Sequence, residues 1–417
     1  MKIDNNKNLV GQPILKQILD LLPREKFMRL VAELETDRYY KTFYSYDQLI
    51  LMLFGILSRC DSMSEVCDGM RALAGKLNHL GMEISPAKST VGDALRNRPE
   101  ELYRQYYFCL IEHFSNILSV SRKESISFDL FYSFDSTTIS LFSNVLKGVG
   151  RNPKGDGQKK GGLKVHMIID VNADTPKFVK VTDAKTHDKK FLQHLNLPAG
   201  SMVVFDKAYN HYQQFAKWTE AKVNFVCRLK DNAKYQTIGE PLYEKDLSDN
   251  EFGVYRVEHI HINYNDKEDN MKSKTLCLRL VFYKDEKGRY YKFITNNWEI
   301  TAEEVALIYK YRWTIETSFK KLKQNFQLTY FYSDTENGIK TQIWCTLIAF
   351  LLMQVVQALS KSKKAMSTIA SLIRIHLISN LNIIWVVTEG RKAYPKSINK
   401  RNKSPAFIQT TIFGQGR

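Results

Sequence analysis

Apolar residues recur at helical spacing up to about Val120 and at strand spacing after it, so the chain changes structural class near that point. Ile14, Ile18, Leu21 and Leu22, then Phe27, Leu30 and Leu34, then the run from Leu49 to Leu57 predict helices. Ser85-Pro-Ala-Lys-Ser-Thr-Val-Gly-Asp-Ala-Leu-Arg-Asn-Arg98 opens on turn residues, and Ser89 is placed to cap the short basic helix that follows. A helix of this kind suits a DNA groove; a plain helical hairpin fits the same pattern.

From Ser125 the period predicts strands over Ile126 to Leu141, Leu163 to Val171, Lys177 to Val181, Met202 to Phe205 and Asn224 to Leu229. A short helix capped by Asp188 is expected across His187 to Leu195, and another from about His211 to Ala221. That order describes an α/β fold, a mixed sheet with flanking helices. Alternation resumes after Lys230, from Val254 to Ile262, Thr275 to Tyr283 and Tyr290 to Thr295, with an Asp285-Glu-Lys-Gly288 turn. These segments read as a small antiparallel β insertion. The remainder from Ile339 predicts a packed helix pair and then, from about Arg391, a loose basic tail. The expected division is therefore an all-helical N-terminal DNA-binding domain (1–122), a first part of the core (123–236), the β insertion (237–300), a second part of the core with C-terminal helices (301–390) and the tail (391–417).

Between insertion and C-terminal helices, Tyr309, Arg312, Glu316 and Lys323 stand at steps of three, four and seven. On one helix those steps return to a single face within roughly 60°. Such a stripe can hold a divalent metal through the carboxylate while Arg and Lys neutralise adjoining phosphates; a solvated face of an amphipathic helix carries the same residue types. Ile308, Ile315, Phe319 and Leu322 form the adjoining apolar stripe.

The length of 417 residues allows two or three domains with a sizeable core. Sixty-one Lys and Arg against 44 Asp and Glu give a net charge of +17, which favours a polyanionic partner, nucleic acid ahead of an anionic membrane. The six cysteines form no Cys-x-x-Cys pair, which argues against a zinc finger. Met1 to Leu9 is polar, and the apolar run Ile343 to Met353 is shorter than a bilayer span. The expectation is a protein of the reducing cytoplasm with no membrane partner. His259 and His261 share one face of a strand, but no third ligand is legible, so sheet packing is the reading adopted; His166 and His187 are read as structural. Lys147, Arg151, Lys154, Lys159, Lys160 and Lys164 surround a Gly-rich segment that can follow a DNA backbone, with a solvated loop as the alternative.

Asp135 and Asp206 sit at or near predicted strand ends, which in an open sheet border the ligand crevice. With Glu316 they can converge on one pocket, where three carboxylates repel each other unless cations lie among them. Two Mg²⁺ ions would remove that penalty and clamp a phosphodiester. Taken singly, Asp206 can be a helix cap and Asp135 a turn acceptor, and Asp129, Asp170, Asp174 and Asp231 are rival acids.

Asp135-Ser-Thr, Asp206-Lys-Ala-Tyr and the Tyr309, Arg312, Glu316, Lys323 series resemble the three blocks of the bacterial insertion-sequence DDE transposases that carry a Tyr-Arg-Glu-Lys signature. Gly161-Gly-Leu-Lys-Val-His resembles that family's second strand, and Phe225-Val-Cys-Arg-Leu-Lys the strand before its insertion. The resemblance implies an RNase H-like core in which Asp135, Asp206 and Glu316 bind two Mg²⁺ or Mn²⁺ ions. It further implies terminal inverted repeats and target DNA as partners, a dimer or higher multimer on the DNA, hydrolysis and strand transfer, and a hairpin route for the second strand, all in a bacterial, nucleoid-associated setting. By the same resemblance Tyr309, Arg312 and Lys323 bind phosphates, and Trp298 is the nearest candidate to stack on a flipped base. A repurposed DNA-binding protein of this fold and an RNase H-like nuclease without strand transfer are the rival readings.

Overall fold

The computed structural model describes residues 11–73, 75–119, 128–140, 162–172, 174–183, 191–192, 195–247, 251–266, 268–269, 271–326, 328 and 330–388. The strand-period segments assemble into one ten-stranded mixed sheet. Its strands are β1 (Phe131–Ser140), β2 (Gly162–Asp170), β3 (Thr175–Asp183), β4 (Met202–Phe205), β5 (Asn224–Arg228), β6 (Gln236–Thr237), β7 (Tyr243–Glu244), β8 (Gly253–Asp266), β9 (Lys272–Lys284) and β10 (Tyr290–Thr295). The order is β3-β2-β1-β4-β5-β10-β9-β8-β6, with β7 also on β8. β1, β2 and β3 are antiparallel, β4 and β5 run parallel to β1, and β10 returns antiparallel to β5. The predicted insertion is thus an extension of the core sheet, joined to it edge to edge.

All four residues of β4 are buried. Its Met-Val-Val-Phe sequence lacks polar alternation because the strand is covered on both faces, as parallel strands are. On one side Val203 and Phe205 pack with Phe215, Trp218 and Phe225 beneath α9 (Tyr212–Glu220). On the other, Met202, Val204 and Val226 pack against Val305, Ile308 and Tyr309 of α10 (Ala302–Lys310). Thr301 and Glu304 start α10 with a reciprocal capping box, satisfying two otherwise orphaned backbone N–H groups.

The N-terminal helices are α1 (Ile14–Leu19), α2 (Arg24–Glu33), α3 (Ser45–Ser58), α4 (Met63–Ala72), α5 (Leu77–Leu80), α6 (Lys88–Asn97), α7 (Glu101–His113) and α8 (Ser115–Ser119). After the sheet come α11 (Trp313–Asn325), α12 (Glu336–Ser360), α13 (Met366–His376) and α14 (Ile383–Thr388). A single apolar cluster joins Ile14, Leu49, Tyr103 and Val91 to Ile315, Phe350 and Val387, and also to Val165 and Met167 of β2. α12 runs through its middle, touching α3, α6, α7 and α8 as well as α13 and α14.

Four sequence expectations change here. Helix α6 starts at Lys88 on an Ala87 cap, so Ser89 lies inside the helix and caps nothing. Arg98, the last cation of that supposed basic helix, is 1% exposed and turned into the core. The apolar stretch around Ile343 to Met353 belongs to a helix of 25 residues, long and apolar enough to cross a membrane, yet 78% of that apolar window is buried inside the protein. The Tyr309 helix, fourth, is interrupted between Lys310 and Trp313.

Candidate active site

β1 is the central strand around which the site forms, hydrogen-bonded to β2 on one side and β4 on the other. Side chains alternate along it. Phe134 enters the α9 core by stacking on Phe205, whereas Asp135 points to the opposite face, toward α11. One Asp135 oxygen accepts the Ser136 backbone N–H at 2.7 Å and lies 3.4 Å from the Tyr209 hydroxyl. Asp206 follows the last residue of β4, in the position where a parallel strand opens into the crevice. Its Oδ2 accepts the Ala208 N–H at 3.4 Å, capping a 3₁₀ turn over Lys207–Tyr209, and the Tyr309 hydroxyl donates to its Oδ1 at 3.4 Å. Asp206 thus caps with one oxygen and meets Tyr309 with the other, whereas Asp135 lies within β1 and serves no turn.

The signature helix is broken. α10 ends at Lys310 and α11 begins at Trp313, with Tyr311 and Arg312 forming a tight turn whose N–H groups reach back three residues to Ile308 and Tyr309. The single stripe predicted from spacing does not exist: Ile308 packs in the core under α10, while Ile315, Phe319 and Leu322 pack in the α12 core. Two cores pulling the two halves apart override the continuous helical period. The break nevertheless brings the polar members together. Arg312 lies with its guanidinium 5.7 Å from the Tyr309 ring centroid and donates from Nη1 to Glu316 Oε1 at 2.6 Å. Its Nε–H is buried without a partner. Ser133 donates to the Arg312 carbonyl at 3.4 Å, tying the turn to β1.

Burial pushes the Asp135 carboxyl up to about 6; the Ser136 N–H and Arg312 oppose this, and Asp206 and Glu316 add to it. Asp206 and Glu316 thus lie close enough for their charges to act on Asp135. Burial also raises the Tyr309 phenol, and it pulls down Arg312, but the Glu316 bond together with the charges of Tyr309, Glu316 and Asp206 leaves that guanidinium raised on balance. Three carboxylates from different elements, one of them half-protonated near pH 6, offer hard oxygens and surplus negative charge, a chemistry that fits a divalent cation. A raised folded pKa makes the protonated form the stable one. The Asp135 contribution is therefore present at and below the ordinary aspartate range and lost as pH rises through about 6. Without divalent metal, Asp135→Asn should raise Tm above pH 6 by roughly 2–6 °C and leave it unchanged near pH 4. A thermal-shift series across pH checks this; equal Tm at both ends would contradict the assigned burial.

The remaining sequence candidates divide. Lys323 donates to the Thr138 carbonyl at 3.1 Å at the end of β1, and burial lowers its ammonium. Lys164 is a correction: it sits within β2, opposite Thr138, and is 3% exposed, so it is not part of a surface loop tracking DNA. Strand pairing from Gly162 onward draws it inward. Lys147, Arg151, Lys154, Lys159, Lys160 and His187 lie outside the described residues. Trp298 is 46% exposed, with its ring 5.1 Å from that of His259. His166 is buried, bonded to Thr182 and stacked on Phe191, a structural role. Among the rival acids, Asp231 pairs with Lys207, Asp170 accepts the Asn172 N–H, and Asp174 holds Ser318 and Lys321 of α11 at 3.0 and 2.7 Å. Asp129 lies just before β1 on its exposed approach. Asp174, foreseen only as a rival acid, supports α11 instead, and Tyr209 of Asp206-Lys-Ala-Tyr meets Asp135 only once the strands are paired.

Comparison with known proteins identifies the family. The family described as Transposase DDE domain matches residues 126–352, more than half of the chain and all three acids. The chain belongs to the transposase DDE domain family. Members of such a family cleave nucleic acid and generally use divalent metal ions. A domain of unknown function, DUF4372, matches residues 10–83, within the N-terminal helices. A Sinorhizobium fredii protein assigned as transposase y4zB is 26% identical over 67% of this chain and 74% of its own length. A Geobacillus stearothermophilus protein assigned as the transposase of insertion sequence element IS5377 is 24% identical over 60% and 63%, and a Synechocystis protein assigned to insertion sequence element IS4SA is 23% identical over 69% and 76%. The piggyBac transposase synaptic complex with hairpin DNA aligns over 98% of this chain and 88% of that one, with a TM-score of 0.42 and 10% identity, too distant to carry argument.

Proposed function

We propose that this DDE-family protein is the transposase of a bacterial insertion sequence, binding the terminal inverted repeats of its element as a dimer or higher multimer. The observation that carries this is the meeting of Asp135, Asp206 and Glu316, from two neighbouring parallel strands and a helix far along the chain, around Arg312 and Tyr309. An RNase H-like core is the reading of the sheet supported by the order β3-β2-β1-β4-β5, with its first three strands antiparallel and the next two parallel to β1. The N-terminal helices are assigned to DNA binding on the same reading, with a nucleoid-associated cytoplasmic setting.

Two Mg²⁺ ions, with Mn²⁺ as substitute, are the proposed cofactors; Asp135, Asp206 and Glu316 would hold them, and when bound they would supply Lewis-acid activation of the scissile phosphate and the attacking water. The chain's own groups do the rest. Arg312, with an unmatched buried N–H and a guanidinium fixed by Glu316, is set to donate to a phosphate oxygen. Tyr309 orients Asp206 and offers a phenol to the backbone near the cut, and Lys323 at the end of β1 is assigned to the terminal phosphate. The Trp298 face is assigned to stacking on a displaced base.

Incubating the full chain with Mg²⁺ and DNA carrying its element's own ends tests the reading. The expected products are a nick that leaves a 3′ hydroxyl at the element end, a hairpin, and strands joined to a target. Nicking without joining would make the protein a nuclease, and tight end binding without cutting would make it a repurposed DNA-binding protein.

A further inference from the structure

His259 and His261 gain a third partner once the strands are paired, because Cys277 of β9 stands directly opposite His261 of β8. The intervening residues Ile260, Ile262, Leu276 and Leu278 are buried in the α9 core, so the two imidazoles and the thiol project together from the other face of the sheet. One ligand atom from each of the three lies within 4.8 Å of the other two. In a tetrahedral site with bonds of about 2.0–2.3 Å the same atoms would be roughly 3.3–3.8 Å apart, a closure that side-chain rotation supplies. A second observation points the same way: His259 Nε2 is buried and has no hydrogen-bond partner. A buried imidazole nitrogen left unmatched costs stability and is unusual unless a ligand completes it. Arg279, opposite His259, is engaged elsewhere, its guanidinium donating to the Ile300 carbonyl at 2.5 Å.

We propose that His259, His261 and Cys277 form a binding site for one Zn²⁺ ion, separate from the carboxylate pocket. Two imidazoles and a thiolate are the borderline-soft set that zinc takes and Mg²⁺ does not, and the exposed side at Cys277 leaves a fourth position to solvent. Zinc there fastens β8 to β9 across the register and fixes the His259 ring, against which Trp298 rests edge to face. The site thereby sets the pose of the exposed Trp298 ring. Loading costs one proton, released from the Cys277 thiol as the Zn–S bond forms.

Cobalt titration of the tag-free, reduced full chain in excess Mg²⁺ tests this. One equivalent of Co²⁺ should bind with a thiolate-to-cobalt charge-transfer absorption, and Zn²⁺ should displace it. Cys277→Ser should abolish that absorption, His261→Ala and His259→Ala should each weaken Zn²⁺ binding at least 100-fold, and Asp135→Asn should leave it unchanged. Because Cys277 is exposed while Cys60, Cys67, Cys227 and Cys345 are buried, Zn²⁺ should also protect it from a thiol reagent in the native protein. Cobalt binding without charge transfer, a band that survives Cys277→Ser, or no protection of Cys277 would overturn the site.

Discussion

Asp135→Asn, Asp206→Asn and Glu316→Gln are each expected to lower metal-dependent cleavage of the element's ends by at least 10³-fold while changing end binding less than threefold. Each substitution keeps side-chain volume and removes one anionic oxygen ligand, so the loss should appear in the chemical step. The three should also be non-additive, the double variants being hardly slower than the singles, because the acids serve one shared centre. Asp174→Asn is the control for location: it weakens the Lys321 contact that supports α11 but leaves the donor set whole, and should retain most activity. A variant of Asp135, Asp206 or Glu316 that cuts at the wild-type rate would remove that residue from the centre. Arg312→Ala and Lys323→Ala extend the test to phosphate contact, since each should flatten the salt dependence of DNA binding by about one unit of slope.

Arg98→Ala is expected to be the most destabilising single change, costing about 3–5 kcal/mol. The Arg98 guanidinium is buried at the end of α6 and donates to the Thr36 carbonyl at 3.2 Å, to Gln48 Oε1 at 2.8 Å and to the Phe43 carbonyl. It also pairs with Asp37 at 3.3 Å and lies 3.9 Å from the Tyr40 ring centroid. Truncation leaves those acceptors buried or half-buried and unmatched, the costly half of the hydrogen-bond asymmetry. Arg98→Lys should recover only part of the loss, since an ammonium cannot serve acceptors spread around a planar fork. Denaturant unfolding of both variants measures this; a loss below 1 kcal/mol for the Ala variant would show that the loop between α2 and α3 does not depend on Arg98.

Much of the sheet was legible because its strands carry strong alternation or continuous burial. Met202 to Phe205 and Tyr290 to Thr295 match the observed strands residue for residue, and the His211 to Ala221 helix is displaced by a single residue at each end. Asp206 was legible at a strand end, whereas Asp135 lies in the middle of β1, and only pairing β1 with β4 and docking α11 brought these acids and Glu316 together. What escaped depended on contacts distant in sequence. The break at Tyr311 and Arg312 follows from two competing cores, Arg98 looked like a surface cation until the loop wrapped it, and Cys277 was no ligand until register set it beside His261. Local period carries no information on which core wins or which strand lies opposite.

The passage of α12 through the centre of the N-terminal helices has a consequence for synthesis. Helices α1 to α8 emerge from the ribosome more than 200 residues before the segment that fills their interior, so a prematurely terminated chain exposes an unfilled apolar groove and should be degraded. On the proposed assignment of those helices to DNA, their engagement would await a chain already equipped with Glu316, and truncated products would not compete with it for the element's ends.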